Sequence, residues 1–64
     1  MYLVKLENGG FTWYLIRSTW TTEIERASRF ESLEAAKVAF EKQRKFLKAS
    51  LARRVDIYFD PRVG

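Results

Sequence analysis

A turn signal between two alternating stretches constrains the fold of this chain more than any other feature. Residues 2–7 (YLVKLE) place Tyr2, Val4 and Leu6 on one face, and residues 8–10 are Asn-Gly-Gly. Asn and Gly adopt the positive φ angles that tight hairpin turns require. The following stretch, FTWYLIR (11–17), is apolar on both faces, which is typical of a central strand or of a strand covered twice. The sequence therefore predicts an antiparallel hairpin.

Two further strands are predicted on weaker patterns. Residues 22–30 (TEIERASRF) alternate until Phe30, which indicates a third strand, although a regular strand over 23–30 is not required by the pattern. Residues 18–22 (STWTT) either prolong the second strand or form the loop to the third. Residues 55–59 (VDIYF) alternate again and precede Pro61, which cannot continue a ladder. They are the predicted closing strand.

A long helix is predicted from Leu33 to about Arg53, because this range lacks Gly and Pro and is rich in Ala, Leu, Lys, Glu, Gln and Arg. Ser32 is the expected N-cap. The order is thus β-β-(β)-α-β, an α+β fold in which one long helix packs across a small antiparallel-rich sheet of three to four strands. Its 64 residues are enough for a single domain, residues 1–64.

The helix carries more apolar surface than one sheet needs. At 100° per residue, one stripe faces the sheet and a second stripe, Ala35, Ala39 and Phe46, lies to one side of it. A helix of this length would span roughly 30 Å, whereas a strand of five to six residues spans about 17–20 Å. We expect the second stripe to form a homo-oligomer or partner surface. In the alternative interpretation, Phe46 folds over the edge of the sheet.

The composition argues against catalysis and against a bound metal or cofactor. Cys and His are both absent, which removes the usual nucleophile–base pairs and leaves only carboxylates as metal ligands. No phosphate-binding glycine loop is present, since residues 8–10 lack the spacing and the following helix. The expectation is a non-enzymatic protein without cofactor, with neither a signal peptide nor a membrane span, that resides in the cytoplasm.

Charge and aromatic residues leave two kinds of binding open. The net charge is +4, and basic residues concentrate towards the predicted end of the helix. With Trp20 and Tyr14 as stacking platforms, such a surface would bind nucleic acid. With Trp20, Tyr14 and Phe46 as apolar anchors, the chain would instead bind a protein. The candidate nucleic-acid contacts are Lys42, Arg44, Lys45, Lys48, Arg53 and Arg54.

The layout as a whole resembles that of small phage and prophage accessory proteins. The resemblance rests on the hairpin of residues 2–17, the helix entry ASRFESLEAAKVAFEK and the closing strand VDIYF. It implies a mobile genetic element as the source and the cytoplasm of the host cell as the location. It also implies a protein that binds and modulates or inhibits a host protein, such as an antiviral defence factor.

A second resemblance is to the arm-binding domain of tyrosine integrases, in which a three-stranded sheet and a helix bind DNA through the sheet. The segments FTWYLIR, RFES and EAAKVAFEK are similar to its second strand and helix start. This resemblance implies DNA binding through the sheet face and the basic helix end. DNA binding is therefore the alternative to binding a host protein.

Overall fold

The computed structural model describes residues 1–62 and shows an α+β fold. The sheet is antiparallel throughout, with strand order β3-β2-β1-β4. This confirms the predicted fold class and the central position of β2. The elements along the chain are β1 (Tyr2–Asn8), β2 (Phe11–Ile16), β3 (Thr19–Thr21), a 3₁₀ turn (Ile24–Arg26), α1 (Leu33–Arg44), α2 (Ala49–Ala52) and β4 (Val55–Phe59).

The predicted first hairpin is present. Asn8 pairs with Phe11, and the two residues between them, Gly9 and Gly10, have φ angles of 62° and 81°. Positive φ at both loop positions is the pattern of a type I′ turn, whose twist matches that of the flanking strands. The closing strand β4 is also confirmed, and it pairs with β1 rather than with the hairpin's second strand.

The third strand lies earlier in the chain than predicted. Residues 19–21 form β3, whereas the predicted strand over 22–30 contains a 3₁₀ turn and only an isolated bridge at Phe30, so that prediction was wrong. The cause is a second tight turn. Ile16 pairs with Thr19 across a two-residue loop in which Arg17 takes a φ of 54°, so the chain reverses before the predicted loop is complete.

Residues 28–30 form backbone hydrogen bonds with both β1 and β2 beyond the point where these two strands stop pairing with each other. The β1–β2 register ends at Lys5 and Tyr14. Beyond that point the Ser28 amide donates to the Leu15 carbonyl at 2.9 Å, and Phe30 exchanges two backbone hydrogen bonds with Tyr2, at 2.7 and 3.0 Å. Residues 28–30, which lead to α1, therefore form a short extended segment within the sheet. This segment provides hydrogen-bond partners for backbone amides and carbonyls that β1 and β2 do not provide for each other.

The helix begins where predicted but ends early. The Ser32 hydroxyl accepts a hydrogen bond from the Ala35 amide at 3.1 Å, as expected of an N-cap. However, α1 ends at Arg44, and α2 begins at Ala49 after an extended Lys48. The prediction of one helix to Arg53 was wrong in its length. The break, which no Gly or Pro requires, removes the predicted overhang and lets the chain return to the sheet.

The core lies between α1 and the sheet, but the other face is also covered in part. Val4, Leu15 and Ala36 are fully buried together. Leu3 is fully buried as well, although alternation along β1 directs it away from α1. We attribute its burial to residues 22–29, since Ile24 lines a cavity together with Asp60, beyond the end of β4. The sheet is therefore packed on both faces at this end.

Candidate partner-binding surface

One flank of α1 is an exposed apolar groove. Its helix wall is formed by Ala35, Val38 and Ala39, and its volume is about 540 Å³. Val38 is 58% exposed, so this wall is not closed by the rest of the described chain. Phe30 also lines the groove and packs against the core cluster. The predicted second stripe therefore does lie beside the sheet-facing stripe, open to solvent.

A second groove, of about 380 Å³, continues the first across Gln43, which lines both. It lies between the end of α1 and strand β3, with Phe46 on the helix side and Trp20 on the strand side. Phe46 is 73% exposed, the most exposed large apolar side chain in residues 1–62. We call the two grooves together the flank surface. Its lining residues are Arg17, Ser18, Thr19, Trp20, Ser28, Phe30, Ala35, Val38, Ala39, Lys42, Gln43, Phe46 and Leu47.

The fold brings together four of the five residues predicted for a partner or oligomer surface. Ala35, Ala39, Phe46 and Trp20 all line the flank surface. Trp20 reaches it from an edge strand rather than from the expected loop, and its half-buried ring also packs on the core. Periodicity along one helix was enough to place Ala35 and Ala39 on one side. Phe46 lies in the turn after α1, and the approach of β3 to this turn is what adds Trp20.

Tyr14, the fifth residue, lies on the opposite face of the sheet. It pairs in register with Lys5 and Thr21, on the side away from α1. Its neighbour there is Tyr58, over whose ring the Lys5 ammonium lies at 5.1 Å. Burial, together with the nearby Tyr14 and Asp60, raises the pKa of Tyr58 to about 12. Tyr14 thus belongs to a separate polar and aromatic cluster and not to the flank surface.

The flank surface is basic as well as apolar. Among its lining residues in the described chain there is no Asp or Glu, whereas Arg17 and Lys42 both line the first groove. Lys45 adds a third cation, because its ammonium lies 5.2 Å from the centre of the Phe46 ring. The sequence analysis did not single out Arg17 for this surface. No sequence signal pointed to Arg17, because the two-residue loop that sets it at the corner of the β2–β3 hairpin is seen only in the structure.

The predicted nucleic-acid contacts are divided among different surfaces. Lys42 belongs to the flank surface. Arg44, Lys45 and Arg53 line another groove of about 830 Å³ between α1 and α2, where Glu41 forms an ion pair with Arg44 at 3.3 Å. Of these three, only Lys45 also reaches the flank surface, through its contact with the Phe46 ring. Arg54 lies beside the β1–β2 turn together with Glu7. Lys48 is exposed at the start of α2. The six residues therefore do not form one continuous stripe.

The buried carboxylate of Asp60 is accounted for by structure. Only 2% of its side chain is exposed, and it accepts hydrogen bonds from the Arg62 backbone amide and guanidinium at 2.9 to 3.1 Å. These hydrogen bonds hold the pKa of Asp60 below its usual value. The pair closes the chain after β4, where the Asp60 amide also donates to the Met1 carbonyl. It satisfies its own charges and presents no free acid or base.

Two further observations concern the part of the chain that the structure describes. Within residues 1–62, no cluster of three or more carboxylates is placed to hold a metal ion. The helices of the same range are too short and too polar to cross a membrane.

Comparison with known proteins adds no relative. No family model matches the chain, and neither a curated protein nor a solved structure matches it. The functional argument therefore rests on the geometry of the chain itself.

Proposed function

We propose that this protein acts by binding another protein through the flank surface, without catalysing a reaction. The observation that carries the proposal is the exposure of Phe46 and Val38 along a continuous pair of grooves. An apolar patch rimmed by polar and charged residues is typical of an interaction site. Phe46 and Trp20 are the kinds of side chain that act as anchors at interfaces.

The energetics favour a partner. Burying an exposed Phe side chain gains about 1.5–3 kcal/mol, and a small domain has little core with which to offset exposed apolar surface. Removal of the Phe46 ring from water on binding thus provides a substantial share of the affinity of a micromolar complex, about 8 kcal/mol in total. Ala35 and Ala39 contribute by allowing close approach, because their short side chains leave the helix backbone near the surface.

The partner belongs to one of two classes in this proposal. The resemblance to phage accessory proteins favours a host protein, such as an antiviral defence factor that the chain inhibits. A second copy of the chain through the same flank is the homo-oligomer form of the proposal. Both forms bury Phe46, so both are sensitive to the same substitution.

The test uses a matched pair of charge substitutions. Phe46→Glu lies on the flank surface, and Phe11→Glu replaces a Phe that is 65% exposed at the far end of the hairpin. Both variants are expected to fold, which circular dichroism checks. If the wild type is oligomeric by light scattering, Phe46→Glu should lower its mass and Phe11→Glu should not.

For the host-protein form, the wild type and both variants are used as affinity baits in nuclease-treated bacterial lysate. Proteins retained by the wild type and by Phe11→Glu, but lost with Phe46→Glu, support the proposal. Equal retention on both variants, together with an unchanged mass, contradicts it.

DNA binding is the second candidate, and the groove between α1 and α2 is the observation that favours it. Arg44, Lys45 and Arg53 line its wall with exposed side chains. Cations in such an arrangement hold phosphates, and the affinity for DNA then falls steeply as salt rises. Titration of labelled DNA at 50 and 200 mM salt, with Arg53→Glu as the variant, tests it. Binding that Arg53→Glu leaves unchanged would exclude this groove.

A further inference from the structure

The outer edge of β3 carries backbone groups that the sheet does not use. β3 is the outermost strand, and within residues 1–62 it pairs only with β2. Ile16 and Thr19 flank a two-residue loop, so they form the hydrogen-bonded pair that closes the hairpin. Hydrogen-bonded and non-hydrogen-bonded pairs alternate along an antiparallel ladder. The next pair, Leu15 and Trp20, is therefore not hydrogen-bonded across the ladder.

An independent hydrogen bond supports this assignment. The Leu15 carbonyl accepts from the Ser28 amide at 2.9 Å, and Ser28 belongs to the segment between β1 and β2, so this carbonyl points away from β3. By the same geometry, the amide and carbonyl of Trp20 point away from β2. Within residues 1–62, neither group is bonded to a side chain or to backbone outside the ladder. In that part of the chain, one donor and one acceptor are thus left free at the middle of the edge strand.

The free edge adjoins the apolar part of the flank surface. The second groove is bounded by residues 18–20 on the strand side and by Gln43, Phe46 and Leu47 on the helix side. A strand added to β3 places the residue opposite Trp20 on the same face as Trp20, which is the α1 face. The side chain of that residue, and those two positions away, would point into the groove beside Phe46.

The positive charge of the flank surface favours a partner segment that is acidic. The lining of both grooves contains Arg17 and Lys42 and, within the described chain, no acidic residue. Arg17 also keeps a φ of 54°, which is unfavourable for a long side chain such as Arg, and its amide donates a hydrogen bond to the Ser28 hydroxyl at 2.9 Å. The fold thus holds a cationic side chain in the lining of the first groove despite the backbone strain.

We propose that the flank surface binds an extended acidic segment of a partner protein, which adds as a strand to the edge of β3. Its backbone bonds the amide and carbonyl of Trp20, its alternate apolar side chains fill the groove beside Phe46, and its carboxylates face Arg17 and Lys42. The inference deepens the proposed function and rests on it. Because β3 has three residues, the backbone contributes only these two hydrogen bonds, and the side chains provide the rest.

The first experiment selects ligands without assuming a sequence. The full chain is immobilised and used to enrich a displayed library of random decapeptides. We expect the enriched peptides to be rich in Asp and Glu and to carry apolar residues at alternate positions. Enrichment of basic peptides, of peptides with apolar residues three and four apart, or of none at all overturns the inference.

The second experiment measures how the strongest selected peptide binds. Its affinity is followed by fluorescence polarisation, and each backbone amide is N-methylated in turn. Loss of the one peptide N–H that donates to the Trp20 carbonyl is expected to weaken binding about fivefold, so methylation should be disruptive at a single position. In a ¹⁵N-resolved spectrum, the Trp20 amide should shift on binding and exchange more slowly with solvent. Equal tolerance of methylation at every position, with an unchanged Trp20 amide, excludes strand addition.

Matched variants separate this inference from the proposed function. Lys42→Glu should weaken the peptide about fivefold, whereas Lys37→Glu, with the same charge change elsewhere on α1, should not. If Phe46→Glu abolishes binding but methylation has no effect, the flank surface binds protein in another way and only the strand model fails. If Phe46→Glu also leaves the affinity unchanged, the proposed function fails with it.

Discussion

Replacement of Leu3 by Ala tests the least expected feature of the fold. Leu3 lies on the face of β1 opposite to α1 and yet has no exposed surface. If residues 22–29 cover it as described, removal of its three outer carbons leaves a cavity. Leu→Ala substitutions at fully buried sites cost about 2–5 kcal/mol. We therefore expect Leu3→Ala to lower the free energy of unfolding by about 2 kcal/mol or more, because about 2 kcal/mol is the smallest cost typical of such sites.

This loss is large for so small a domain, whose total stability at 0.05–0.15 kcal/mol per residue is about 3–10 kcal/mol. Urea unfolding, followed through the fluorescence of Trp13 and Trp20, measures the difference in unfolding free energy between the wild type and the variant. If the variant is partly unfolded in buffer, sucrose is added to both proteins. The urea dependence of the unfolding free energy should stay the same, which shows that the two proteins expose similar surface.

Phe11→Ala is the control, because Phe11 is larger but 65% exposed and should change the unfolding free energy by no more than about 0.5 kcal/mol. If Leu3→Ala costs no more than Phe11→Ala, this end of the sheet faces solvent and the described cover over Leu3 is refuted.

Three further predictions concern the helix cap, the strained turn and the shifted tyrosine. Ser32→Ala removes the acceptor of the Ala35 amide and should cost about 1 kcal/mol in thermal or urea unfolding, whereas Ser50→Ala, at a site without a capping bond, should be nearly neutral. Arg17→Gly removes the strain of a φ of 54° in a residue with a side chain, and should raise the free energy of unfolding in urea by about 1 kcal/mol. A lower free energy of unfolding would show that the backbone at this position is not strained. In a spectrophotometric titration, one tyrosine should ionise at about 12, and Tyr58→Phe should abolish that late step. The pKa of Tyr58 is higher in the folded protein than its unfolded value of about 10, so the protonated hydroxyl stabilises the fold. This contribution to the free energy of unfolding is complete below pH 10 and is lost as the pH rises towards 12. A wild-type titration without a late step would refute this.

The sequence determined those features whose causes are local. Gly9 and Gly10 supply the positive φ angles of the first turn, the alternation in 55–59 matches β4, and the Ser32 hydroxyl reaches the Ala35 amide three residues on. Each depends on neighbours within a few positions, so each could be predicted without knowing the fold. The same holds for the second stripe, because helical periodicity alone sets Ala35 and Ala39 on one side of α1.

Tertiary structure decided the features in which propensity and packing disagree. Residues 45–48 have no helix breaker, yet α1 ends at Arg44, because a short sheet offers no surface for a helix that continues to Arg53. Likewise, the alternation in 22–30 suits a strand, but β3 has already formed at 19–21 and the following segment contains a 3₁₀ turn, to which we attribute the burial of Leu3. In both cases the burial of apolar surface outweighs a weak local preference.

The candidate site shows the same division. The chain itself places apolar residues on the flank of α1, but only the strand order β3-β2-β1-β4 brings Trp20 and the free edge of β3 beside Phe46. That order is set by contacts between residues far apart in the chain, such as the pairing of β1 with β4 and the insertion of 28–30 between β1 and β2. Local patterns carry no information on such contacts, since their free energy depends on which surfaces meet once the chain is compact.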